Sequence, residues 1–154
     1  MTDEIEQKLD RFIEELQAHI DDEASITFSE KAIAEFKDPH HAGSMEDPDG
    51  FAAFTGPCGD TMEIWLRIAA GRVQDSRFWT DGCGATIACG SMITRMIEGG
   101  EVGDVPSISE QDLIDALDGL PQANRHCAKL TIVTLRKALE DYRKRSTAQH
   151  QQDA

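Results

Sequence analysis

The sequence predicts an α+β fold in which a small three-stranded antiparallel sheet packs against helices, with an extra amphipathic helix at the N-terminus. Apolar and polar residues alternate only between about residues 51 and 80, the period of a half-buried strand. After residue 84 the apolar spacing becomes helical and stays so. Strands gathered in one stretch with helices after them form the α+β pattern. At 154 residues the chain is the size of one compact domain with one core.

Each element has a local cause. From Glu4 to about Asp21, Ile5, Leu9, Phe12, Ile13, Leu16 and Ile20 recur at helical spacing while acids crowd the other face, and "DDEAS" breaks the helix. This face is expected to pack on the chain's own core, with a second subunit, and so a homodimer, as the other option. Ser29 caps a short helix carrying Ala32, Ile33 and Phe36, which Pro39 closes. "DPHHAGSMEDPDG" is loop, and its adjacent His40 and His41 are expected to be exposed. "FAAFTG" supplies a first short strand. Met62, Ile64, Leu66 and Ile68 alternate with Glu63, Trp65 and Arg67 in a second strand, "AAGR" turns the chain, and "VQDSRFWT" returns as a third. "ATIACGSMITRMIEGG" is a helix with Ile87, Ile93, Met96 and Ile97 toward the core and Gly99-Gly100 as its stop. Ser109 with Asp112 three residues on starts another, carrying Leu113, Ile114 and Leu117. A last long helix runs from about Asn124 to Arg145, where "RKRS" places cations at the end the dipole favours. Residues 1–25 are thus a helical extension, 26–145 the folded domain and 146–154 a flexible tail.

Composition narrows the function. Fifteen basic residues against 29 acidic ones leave a formal charge of −14, which repels phosphate backbones and anionic lipid heads. Neither nucleic acid nor membrane is an expected partner. The polar, acidic "MTDEIEQKLD" is neither a secretory signal nor a transit peptide, and no apolar run approaches the roughly 18 residues of a membrane span. A cytoplasmic protein is expected. In a reducing compartment its four cysteines are thiols, metal ligands or redox groups rather than structural disulfides.

Three of those cysteines fall at ends of elements. Cys58, in "GPCGD", precedes the clearest strand; Cys83, in "DGCGAT", sits where strand gives way to helix; Cys127, in "NRHCAKL", lies in the first turn of the last helix. Unpaired N–H groups at a helix start stabilise a thiolate, so Cys83 and Cys127 are expected to be more acidic than a free thiol. His126 adds a nitrogen ligand or a proton carrier. Gly56, Gly59, Gly82 and Gly84 let the backbone turn tightly around a bulky inorganic group. Cys89, in mid-helix, is expected to be a buried apolar residue. Ligands 25 and 44 residues apart converge only through the fold, so spacing leaves the metal open.

"GPCGD", then "RFWTDGCGATIACGSMIT", then "HCAKL" before a long helix resembles the iron–sulfur cluster scaffold family of IscU and the N-terminal domain of NifU. The resemblance extends from about "TFSEKAIAEFKDP" to "LEDYRKR". It implies that Cys58, Cys83 and Cys127 hold a nascent [2Fe–2S] cluster, with Asp60 or His126 completing the set. It also implies that Asp60 makes the cluster labile, and that Cys127 accepts sulfane sulfur as a persulfide from a cysteine desulfurase. Iron and apo-protein acceptors of the cluster follow, with Zn²⁺ in the protein as first purified. A hard carboxylate among soft thiolates weakens the hold on the cluster, as a carrier requires.

Departures from the family pattern also matter. "LPQANR" stands where many members carry a Leu-Pro-Pro-Val-Lys stretch recognised by a dedicated Hsp70-type chaperone, which argues against that partner here. Cys89 replaces a usual serine or alanine. The implied function is that of a carrier, not a turnover enzyme. The alternative is a zinc-dependent sulfurtransferase resembling the other branch of the superfamily, which inserts extra residues between the second and third cysteines; the 43 residues between Cys83 and Cys127 match the scaffold branch.

Overall fold

The computed structural model describes the backbone of residues 2–153 and the side chains of residues 3–15 and 28–147. Five α-helices and three strands follow one another as α1 (Thr2–Thr27), α2 (Glu30–Lys37), β1 (Gly50–Thr55), β2 (Thr61–Ala69), β3 (Arg72–Thr80), α3 (Gly84–Ile97), α4 (Glu110–Ala116) and α5 (Arg125–Asp153). The strands form one antiparallel sheet in the order β1-β2-β3. The predicted α+β class and strand count are those observed.

Sheet register follows from the pattern and the turns. Ala70 and Gly71 both have positive φ, +55° and +73°, as a two-residue turn between twisted antiparallel strands requires. With that turn fixed, Met62, Ile64 and Leu66 on β2 and Val73, Ser76 and Phe78 on β3 are buried together. A bulge between Arg67 and Ile68 ends the strict alternation, so Ile68 is only partly buried. The covered face meets α3 and α5, and Leu130, Ile132, Leu135 and Leu139 of α5 complete the core with Ile93 and Ile97 of α3.

Helix α3 is the central element, buried on nearly every side. Phe78 crosses it at Gly90: a Cβ there would lie 2.3 Å from the ring. Gly90→Ala is therefore expected to destabilise the fold by about 1–3 kcal/mol, because overpacking at this contact exceeds the helix-propensity gain of alanine. Denaturant unfolding of the purified variant checks it. Helix α4 begins with the expected capping box between Ser109 and Asp112, and α3 stops just before Gly99, whose φ is +75°.

Two expectations fail at the N-terminus. Helix α1 does not stop at "DDEAS" but continues to Thr27, since that segment holds neither Gly nor Pro; the next helix starts where Ser29 accepts the Ala32 N–H at 3.0 Å. The apolar face does not pack on its own core over residues 3–15. Ile5, Leu9, Phe12 and Ile13 are each more than half exposed, and the side chains of Leu16 and Ile20 lie outside the described residues. At the other end, the α5 backbone continues through Ser146 to Asp153, the stretch expected to be a tail. Among the described residues no helix is long and apolar enough to cross a membrane.

Candidate functional site

Residues Gly56 to Asp60 close the β1–β2 hairpin. The Gly56 N–H donates to the Asp60 carbonyl at 2.9 Å and the Gly59 N–H to the Gly56 carbonyl at 3.0 Å. Pro57 and Cys58 occupy the centre of that inner turn, and Gly59 takes a φ of +88°. Cys58 is thereby exposed at the hairpin tip, while Asp60 is half-buried where β2 begins.

The hairpin base is tied to the turn before α3. Asp81 accepts the Thr61 N–H at 2.8 Å, the Thr80 hydroxyl donates to the Thr61 carbonyl at 2.7 Å, and the Gly82 N–H donates to that hydroxyl at 3.0 Å. Cys83 is the N-cap of α3, with extended backbone angles (φ −73°, ψ −179°), and its side chain is exposed. Thr86, one turn on, fills the space that a side chain at Gly82 would need: a Cβ there would sit 2.7 Å from its hydroxyl.

Thr86 links two of the thiols. Its hydroxyl donates to Cys127 Sγ at 3.3 Å and lies 3.7 Å from Cys83 Sγ. The His126 Nε2 is 3.6 Å from Cys127 Sγ. Cys127 is fully buried as the third residue of α5, and His126 beside it is exposed. Cys58, Asp60 and His126 together line a cavity of about 350 Å³ with Phe54, Lys129 and Leu130. A second cavity of about 350 Å³, lined by Phe28, Ala32, Phe36 and Ala88, opens beside Cys83.

The two linked thiols differ in acidity. Burial pushes the Cys83 thiol up, but the N–H dipoles of Thr86 and Ala85 and the Thr86 hydroxyl outweigh it and hold the thiol below its ordinary value. No formal cap hydrogen bond reaches the sulfur, so the effect is that of oriented dipoles. Cys127 goes the other way. Burial pushes it up to about 11 against the Thr86 hydroxyl, with the negative charges of Cys83 and Asp60 adding to the rise. The expectation that a helix start would acidify Cys127 is therefore corrected: desolvation wins over the dipole. Cys89 is fully buried and its thiol is raised, first by desolvation, as expected of a core residue.

The five donors of Cys58, Asp60, Cys83, His126 and Cys127 share one region but form no closed cage. Among the described residues no three of their donor atoms lie within 4.8 Å of one another. A tetrahedral zinc–thiolate site, with Zn–S near 2.3 Å, holds its sulfurs only about 3.8 Å apart.

Comparison with known proteins places the chain in a family. The model of the NifU-like N terminal domain matches residues 27–149. The chain belongs to this family. The NifU-like domain is 37% identical over 116 residues to iron-sulfur cluster assembly scaffold protein IscU 1 of Archaeoglobus fulgidus, covering 75% of this chain and 76% of that one. It is 30% identical over 128 residues to the iron-sulfur cluster assembly scaffold protein IscU of Escherichia coli K12, covering 80% of this chain and 99% of that one. The crystal structure of a NifU-like protein (N-terminal) from Brucella abortus shares the fold, with a TM-score of 0.63 at 15% identity over 75% of this chain and 94% of that one.

Two residues of this NifU-like domain escaped the sequence reading, Thr86 and Asp81. Thr86 stands three residues after Cys83, in the first turn of a helix entered through Gly-Cys-Gly, but only the fold brings Cys127 to it. Asp81 acts through Thr61, 20 residues earlier, and nothing local in the sequence marks that partner. The acidity order has a direct test. With a thiol alkylating agent near pH 8, Cys83 is expected to be modified on the order of tenfold or more faster than Cys127, since each pKa unit changes the thiolate fraction about tenfold. Peptide mapping by mass spectrometry over time reads both rates.

Proposed function

We propose that the chain is a scaffold on which a [2Fe–2S] cluster is built from iron and persulfide sulfur and from which it passes to apo-proteins. The observation that carries this reading is the convergence of three thiols, a carboxylate and an imidazole from the β1–β2 turn, the start of α3 and the start of α5. Thiolates are the preferred ligands of such clusters. Cys58, Cys83 and Cys127 are the proposed soft ligands, and Asp60 or His126 completes the set as a weaker one. The names of relatives at 30–37% identity support a scaffold role. The cluster is cargo, so the protein acts as a carrier rather than a turnover enzyme.

Cys127 is the proposed sulfur acceptor. Its thiolate attacks the outer sulfur of a persulfide on a cysteine desulfurase; a new S–S bond forms on Cys127, and the desulfurase cysteine leaves as thiolate. The attacking thiol must first lose its proton, and the His126 ring nitrogen, 3.6 Å away, is placed to take it. Because Cys127 is buried, delivery requires the start of α5 to open toward the donor. The proposed location is the cytoplasm, and residues 26–145 form the working domain.

Anaerobic purification followed by iron, zinc and acid-labile sulfide analysis tests the reading, before and after reconstitution with iron, cysteine and a desulfurase. Equal iron and sulfide, with a visible chromophore that passes to an apo-ferredoxin, is the expected result. Tightly held zinc that iron and sulfide cannot displace, with persulfide on a cysteine, would move the assignment to a zinc-dependent sulfurtransferase.

A further inference from the structure

The loop after α2 carries two imidazoles to the far end of α3. The His40 N–H donates to the Ser91 hydroxyl at 2.7 Å, the Thr94 hydroxyl donates to the His40 carbonyl at 3.1 Å, and the His41 carbonyl accepts the Phe78 N–H at 3.1 Å. These bonds pin the loop to α3 and β3. They also hold His41 at a φ of +59°, a left-handed conformation that costs energy for any residue but glycine. The two rings stack with centroids 3.7 Å apart and planes 22° from parallel.

Expected to be exposed, both side chains are about four-fifths buried, at 22% and 20% exposure. His40 Nε2 and His41 Nδ1 are shut off from water and have no hydrogen-bond partner among the described residues. Glu98, at the C-cap of α3, comes within 3.4 Å of His40 Nε2, and Asp75 of β3 within 3.6 Å of His41 Nδ1, but neither contact is aligned as a hydrogen bond. Buried ring nitrogens left so are costly unless something else takes their lone pairs. Ion pairing alone would need two charged rings stacked face to face, a like-charge contact. One nitrogen from each ring and one Glu98 oxygen lie within 4.8 Å of one another.

We propose that His40, His41 and Glu98 form a second metal site, for a divalent first-row transition ion such as zinc or ferrous iron. Two imidazoles and a carboxylate suit these ions, whereas calcium and magnesium prefer oxygen throughout. Three protein ligands leave positions open to water, so the ion is exchangeable rather than a structural staple. Asp75, 3.6 Å from His41 Nδ1, adds a negative charge beside the site that favours a cation there. The whole of α3, 14 residues or about 21 Å, separates this site from Cys83. Its occupancy is therefore independent of the cysteine site.

Anaerobic titration of the untagged full chain with Co²⁺ decides it, because thiolate ligation gives intense near-ultraviolet charge-transfer bands and nitrogen–oxygen ligation gives only weak visible bands. The expected result is an equivalent of cobalt bound without the thiolate bands. Glu98→Gln should abolish it, and Asp75→Asn should weaken it severalfold by removing a nearby negative charge, while any thiolate-bound cobalt is unchanged. The Glu98 side chain is half exposed, so Glu98→Gln keeps the fold, and circular dichroism checks this. Binding only with thiolate bands, unaffected by Glu98→Gln, would overturn the proposal. Cobalt held here but absent from the cysteines would instead count against the scaffold reading and leave this site standing.

Discussion

Cys83→Ser is expected to abolish cluster binding while leaving the fold intact or slightly more stable. A serine hydroxyl is a hard donor that stays protonated near neutral pH, so it cannot replace a thiolate on iron. Serine is also among the best N-cap residues, and Cys83 already has the extended backbone such a cap needs. The sulfur makes no cap hydrogen bond, whereas a serine hydroxyl can accept a first-turn N–H, so helix α3 stands to gain up to about 1 kcal/mol. Loss of cluster in this variant therefore cannot be blamed on unfolding. The measurement pairs iron and sulfide content after reconstitution with thermal unfolding of the apo-protein. Iron and sulfide at the level of the parent protein would remove Cys83 from the ligand set and with it the proposed site.

How far the sequence discloses this arrangement depends on whether a feature is local. The β2–β3 turn, the Ser109 capping box and the stop at Gly99 are set by neighbouring residues, and each is where the pattern places it. Cys89 is buried as its mid-helix position implies. The placement of Cys58, Cys83 and Cys127 at element ends was likewise legible. What was not legible depends on residues distant in the chain. Cys127 is buried in the core that forms only when the chain folds, with Thr86 of α3 against its sulfur, and that reverses the acidity its helix position alone suggests. The Thr86 bridge joins residues 41 apart in sequence. His40 and His41 looked like loop residues because nothing nearby shows that Ser91, Thr94 and Phe78 hold their backbone against the fold. The exposure of the α1 face is also non-local: an amphipathic pattern shows that a helix has an apolar side, not what covers it.

Asp60→Ala is expected to lengthen the lifetime of the assembled cluster on the order of tenfold and to slow its transfer to an apo-ferredoxin. The turn should survive, because the Gly56 N–H is held by the backbone carbonyl of Asp60, not by its carboxylate. Two effects of the carboxylate point the same way. As a hard oxygen donor it binds iron less firmly than a thiolate and exchanges readily. As a negative charge it contributes to raising the Cys127 thiol to about 11, which favours a proton over iron on that sulfur. Removing the charge lowers the proton affinity of Cys127, so protonation competes less well for the ligand. This charge is the smallest of the contributions to the Cys127 shift, so the charge alone is expected to account for the lesser part of the gain. Asp60→Asn separates the two effects, since it removes the charge but keeps an oxygen donor in place. Equal gains in both variants assign lability to the charge; a gain in alanine alone assigns it to the exchangeable oxygen. Unchanged decay of the visible chromophore in both would make Asp60 an ordinary turn acid and leave release to His126 and the burial of Cys127.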